Sequence, residues 1–217
     1  MFTNRLTTDA QLREIYRPPM DAIEAKIQPS LDDHARAHID LASFVIIGTC
    51  APDGTADVSP KGGPAGFVTV LDDQHLAIAD LSGNNLLDTL SNIAAGSGVG
   101  IIFMVPGNEI TLRVNGQACI TTDAEVLDAC AVRDCRPKTA IGVTITEQFM
   151  HCAKAFRRSG LWQPETWPVE GSLASLGKIV AGGMGLDDAA VSAVEELLEA
   201  NYEETMWEPG GDAEESS

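Results

Sequence analysis

The sequence predicts a mainly β domain of the α+β class, a small barrel with helices covering its ends. Three observations lead there. Six or so apolar runs of strand length are separated by short turn signals. Residues 59–118 join three β-rich runs through Gly-, Asn- and Ser-containing turns, with polar groups at the strand ends. Helical spacing dominates residues 1–43 and 168–217, and only short stretches of it fall between the strands.

Each element has a local reason. Thr8, ahead of DAQLREIY, caps a short helix that Pro18-Pro19 stops. A second helix is expected over residues 19–27. A third is expected over 31–43, with Leu31, Ala35, His38 and Ala42 near one face. The period then changes. SFVIIGTC is a continuous apolar strand, Pro52-Asp53-Gly54 is a turn in which glycine accepts positive φ, and residues 56–60 return as a hairpin. Strands over 66–71 and 75–79 flank the Asp72-Asp73 turn. Residues 86–94 take helical spacing, with Leu86, Leu87, Leu90 and Ile93 apolar. Residues 98–105 are apolar on both faces, which suits a central strand. Pro106-Gly107-Asn108 turns this strand into residues 109–120, whose alternation puts Thr111, Arg113 and Asn115 on one face. A helix over 123–130, a strand over 140–146 and a helix over 147–158 follow, and a last amphipathic helix covers 186–202. The chain thus divides into a helical segment (1–43) packed on a barrel (44–167) and an acidic helix and tail (168–217), all one structural domain.

The 217 residues suffice for a real core, and 44% hydrophobic residues is ordinary for a globular chain. No run approaches the ~18 apolar residues of a membrane span, and the N-terminus lacks the apolar stretch of a secretory signal. A cytoplasmic location and no membrane partner are expected. Five irregularly spaced cysteines fit a reduced compartment and core filling better than a disulfide framework, and no metal site is expected. The net charge of −18 is uneven: residues 161–217 hold one Lys against 13 acids. Such a surface repels phosphate backbones, so no nucleic-acid partner is expected. The acidic end reads as a solvated helix and tail, with a partner-recruiting arm as the alternative.

Scarce positive charge marks candidate sites. His151, Lys154 and Arg158 would share one face of a helix over 147–158, with Ser159 next. They would either clamp an oxyanion or neutralise the acidic segment. Lys61 follows Ser59-Pro60 at a strand end before Gly62-Gly63, where a ligand can approach the backbone; the alternative is a surface lysine at a turn. Ser82-Gly83-Asn84 precedes a helix and is either its N-cap device or part of an anion site. Arg113 is either a lid over a ligand or half of an ion pair. No nucleophilic triad, P-loop or GxGxxG fingerprint occurs.

Five segments in order, SFVIIGTCAPDGTADVSPKGGPAGFV, GNNLLDTLSNI, VGIIFMVPG, TLRVNGQA and HCAKAFRRSGLW, together resemble the pyridoxamine 5′-phosphate oxidase-like flavoproteins. The similarity is to their FMN-dependent PPOX-class branch, and it runs over residues 12–167. It implies a six-stranded split β-barrel of the FMN-binding-protein type, forming a homodimer with FMN at two sites across the subunit interface. It places Ser59 and Lys61 beside the cofactor, and Asp80, Ser82, Gly83 and Asn84 around its phosphate or ribityl chain. Thr111 and Arg113 would pass the ring edge. His151, Lys154, Arg158, Ser159 and Trp162 would form a closing segment, contributed by the partner or completing the pocket. The sequence departs from the branch at two places where relatives commonly carry Arg in the phosphate loop; here they are Leu81 and Leu86. The expected function is an FMN-dependent oxidoreductase of an unidentified small organic substrate. The alternative is a non-catalytic protein holding a flavin, a haem or another planar ligand.

Overall fold

Seven strands, most of them with two-residue burial periodicity, pair into one antiparallel sheet in the computed structural model, which describes residues 1–169 and 171–210. They are β1 (Phe44–Cys50), β2 (Ala56–Gly62), β3 (Val68–Val70), β4 (His75–Ala79), β5 (Gly98–Met104), β6 (Thr111–Thr121) and β7 (Ala140–His151). Their order is β2-β1-β5-β6-β7-β4-β3. The sheet therefore has seven strands, not six, and is open between β2 and β3 at its two ends. The helices α1 (Asp9–Ile15), α2 (Asp21–Glu24) and α3 (Asp33–Leu41) precede the sheet, α4 (Asp88–Ala94) and α5 (Ala124–Ala129) join strands within it, and α6 (Lys154–Ser159), α7 (Leu176–Gly183) and α8 (Val191–Thr205) follow it.

One face of the sheet makes the core. Val45 and Ile47, Ile101 and Phe103, Leu112 and Val114, and Leu76 and Ile78 are all fully buried on it. Residues paired across antiparallel strands share a face, so β5, flanked by β1 and β6, is central as its sequence predicts. α3 closes this core with Leu31, Ala35, Ile39 and Ala42, and with His38, whose Nε2 lies 3.4 Å from the Phe103 carbonyl oxygen. By contrast α1 and α2 bury nothing. The expected helix over 19–27 shrinks to four residues, because a short helix without a packed face gains too little to propagate.

The helix expected over 147–158 is overturned. β7 runs on to His151, paired with β6 from Thr121↔Ala140 to Thr111↔His151. Its other edge is held at Gln148, which exchanges backbone bonds with Gln28. Pairing on both sides outweighs the local helical pattern. The helix that remains starts at Lys154, so His151, Lys154 and Arg158 share no helix face. A bulge falls at Asn115/Gly116, and any side chain at Gly116 would collide with the Thr144 carbonyl.

Three further expectations are corrected. The helix over 86–94 begins only at Asp88, its N-cap is Leu87 rather than Ser82-Gly83-Asn84, and Leu86 and Leu87 are exposed. α7, with Ser175 as its N-cap, was not foreseen and packs against α8. Of the five cysteines only Cys130 is buried, so core filling does not describe the rest. The acidic tail beyond Gly210 lies outside the described residues. No helix among the described residues is long and apolar enough to cross a membrane.

Candidate functional site

The edge strand β2 breaks the apolar rule on the core face. Asp57, Ser59 and Lys61 stand opposite the buried Thr49, Ile47 and Val45 of β1. Inward-pointing polar residues on an edge strand leave that part of the face uncovered, and a cleft opens there. Its walls are β2, the segment 80–87 that follows β4, and the start of α4, and it encloses about 300 Å³. A second cavity of about 280 Å³ adjoins it past Lys61 and Gly83.

A polar network fixes one wall. The Asp57 carboxylate accepts from Thr89 Oγ1 at 2.8 Å, and Asn92 Nδ2 donates to Thr49 Oγ1 at 3.0 Å, tying α4 to β1 and β2. Lys61 Nζ lies 3.6 Å from the Asp80 carboxylate, with both side chains largely buried. The loop beyond Asp80 is strained: Asn85 and Leu87 hold left-handed φ values of 54° and 61°. Asn84 Oδ1 accepts from the Leu86 N–H at 3.1 Å.

The far end of the chain supplies another wall. Ser82 N–H donates to the Glu208 carbonyl at 2.9 Å, and Gly210 N–H donates to the Asp80 carbonyl at 3.0 Å. Trp207, Leu81 and Val126 all pack against the buried cluster around Leu127 and Ala140, and the Arg133 guanidinium lies 4.2 Å from the centre of the Trp207 ring. Gly210 lines the main cleft, and Met206 lines the adjoining one. A Cβ at Gly210 would overlap the Asp80 carboxylate.

The structure therefore brings Ser59, Lys61, Asp80, Gly83 and Asn84 together, with Ser82 in the adjoining cavity. The Gly62-Gly63 turn serves the chain itself, since a side chain at Gly63 would strike the Phe67 ring. Sequence reasoning missed Asp57 and Thr89, although Asp57 keeps the two-residue spacing of Ser59 and Lys61. It also missed Gly210 and Met206, for which no local signal exists.

Thr111, Arg113 and His151 lie elsewhere. They sit on the outer face of the sheet, three strands from Lys61 along the pairing Lys61–Val45–Phe103–Leu112, about 14 Å at strand spacing. Arg113 Nη2 pairs with Glu147 at 2.6 Å, and Asn115 Nδ2 donates to the same oxygen at 2.8 Å. The guanidinium carbon stands 4.2 Å from the Phe149 ring centre. Arg113 is thus half of an ion pair, yet its Nε is buried without a hydrogen-bond partner among the described residues. Burial, and then the Arg113 charge, push the His151 pKa down.

The closing segment forms a third group. Trp162 Nε1 donates to the Asn108 carbonyl at 2.8 Å and its ring stacks on Phe156. The Ser159 hydroxyl donates to Phe156 O and accepts from Leu161 N–H, so it caps the end of α6. Lys154 and Arg158 are exposed and enter no ion pair among the described residues, whereas Arg157 pairs with Glu109 at 2.8 Å. No group of three His, Cys, Asp or Glu residues among the described residues is placed to hold a metal.

A family model described as pyridoxamine 5′-phosphate oxidase matches residues 31–152, more than half of the chain. The chain belongs to that family. Solved structures similar to this member include a candidate pyridoxamine 5′-phosphate oxidase from Lactobacillus delbrueckii, at 23% identity over 56% of this chain and 95% of that one, with a TM-score of 0.46. HupZ of Group A Streptococcus is similar at 18% identity, covering 55% of this chain and 93% of that one, again at 0.46. An FAD binding protein from Mycobacterium smegmatis is similar at 14% identity over 57% and 97%, at 0.39. No curated protein matches the sequence.

Proposed function

We propose that this pyridoxamine 5′-phosphate oxidase family member is a flavin-dependent oxidoreductase acting on a small organic substrate. FMN is the flavin the resemblance implies. The observation that carries the reading is the cleft beside β2, which gathers the residues expected around the cofactor. Ser59, Asn84 and the backbone at Gly83 suit a polyol chain, and Leu81, Leu86 and Leu87 give apolar surface to a flat ring. The phosphate fits less well: Lys61 is the one cation among the lining residues, and it is already paired with Asp80.

A bound flavin would supply two-electron transfer, while the chain would hold it, orient it and limit water. The proposed protein is a homodimer in which the outer faces meet. Thr111, Arg113 and His151, with Lys154, Arg158, Ser159 and Trp162, would then complete the partner's cleft. The part of the Arg113 side chain left exposed on the outer face, 31%, supports this, since a guanidinium keeps donors for an acceptor on a neighbour. No acid or base is assigned. The cytoplasm is the proposed location.

A second reading, a non-catalytic protein for another planar ligand, is favoured by Leu81 and Leu86 lining the cleft. A visible spectrum and the mass of ligand released from native protein separate the two. A flavin that a nicotinamide donor reduces supports the first reading, and a released haem supports the second. Colourless protein that binds neither FMN nor riboflavin on titration overturns the first.

A further inference from the structure

We propose that the cleft discriminates against a phosphorylated ligand tail, so that this chain binds an uncharged flavin of the riboflavin type at least as tightly as FMN. The inference rests on the flavin reading and concerns the ligand class of that same site.

The charges of the cleft decide it. Asp57, Asp80 and Asp88 line it together with a single cation, Lys61. That cation is not free, because the Asp80 carboxylate stands 3.6 Å from its ammonium. Asp80 in turn is held from both sides: its N–H donates to Thr139 O at 3.1 Å and its carbonyl accepts from Gly210 N–H at 3.0 Å. Gly210 leaves room for the carboxylate only because it has no side chain. The loop's own donors are partly spent, since Leu86 N–H donates to Asn84 and Ser82 N–H to Glu208. A phosphate dianion entering here meets the half-buried carboxylates of Asp57 and Asp80, whose repulsion is screened poorly, and the exposed one of Asp88 at the rim. A hydroxylated, uncharged chain meets acceptors it can donate to and amides that can donate or accept.

The test is a fluorescence titration of the full-length chain, stripped of any bound ligand, with riboflavin and with FMN. Wild type should bind FMN no more tightly than riboflavin. Asp80→Asn frees Lys61, and Leu86→Arg adds a cation at a position 68% exposed, where folding tolerates it. Each should tighten FMN by about tenfold, the worth of one charge-assisted hydrogen bond, and leave riboflavin within about twofold. The proposal is overturned if wild type binds FMN about tenfold more tightly than riboflavin, which would assign the phosphate to Lys154 and Arg158 of a second copy. It is equally overturned if both variants leave the FMN-to-riboflavin ratio unchanged. Binding of neither flavin by wild type would instead bring down the flavin reading itself.

Discussion

His38 is a titratable side chain set in the core, 8% exposed beneath the sheet. Burial lowers its pKa, and the hydrogen bond to Phe103 only partly offsets that. The folded state therefore favours neutral imidazole. Above the ordinary pKa, about 6.5, both folded and unfolded chains hold His38 neutral and its contribution is intact. As pH falls through that value the unfolded chain takes up a proton that the folded chain refuses, so stability drops. His151 shifts the same way. Asp53 and Asp72, lowered mainly by backbone hydrogen bonds, act in a separate window below about pH 4. The urea midpoint should accordingly be lower at pH 5.5 than at pH 7.5, and His38→Leu should flatten that slope. An unchanged slope in the variant would clear His38 of the effect.

Among the elements, the loop into α4 shows where local sequence stops being informative. Leu86, Leu87, Leu90 and Ile93 read as one apolar helical face, yet only Ile93 is fully buried, while Leu87 sits left-handed ahead of the helix, 52% exposed. That conformation costs an ordinary L-residue about 1–2 kcal/mol. Leu87→Gly should relieve it and, after the extra entropy glycine gives the unfolded chain, raise stability by up to about 1 kcal/mol in urea unfolding. If the leucine is kept for a ligand, the same variant weakens flavin binding while gaining stability. A loss of stability would instead mean that the side chain packs. The strands were legible because alternation and turn chemistry are local properties. Leu31, Ala35, His38 and Ala42 were legible for the same reason, and all four are buried. The end of β7 was not, since EQFMH fits a helix until β6 and Gln28 pair with it. The strap of residues 206–210 was illegible too, because Trp207 and Gly210 acquire meaning only against Leu81, Arg133 and Asp80, far away in sequence.

At the scale of the whole molecule, the site residues divide between two faces of one sheet. Ser59, Lys61 and Asp80 border the cleft, whereas Thr111, Arg113 and His151 project from the opposite face. No rearrangement of a single sheet unites them, since a strand's side chains alternate between faces. A second copy does so if outer faces meet. That face is suited to contact: Phe44, Val58, Ile46 and Ile102 stand on it, and Gly48 opposite Gly100 flattens its centre. The protein should sediment as a dimer despite a net charge of −18 per chain. Phe44→Lys, at a position 37% exposed on the outer face and away from the cleft lining, should dissociate it. Leu197→Lys, at a position 70% exposed on α8, should not. Flavin affinity should fall with dissociation, because each cleft would lose the neighbour that completes it. A wild-type chain that sediments as a monomer and still binds flavin would confine the site to the β2 cleft and leave Arg113 a purely structural partner of Glu147.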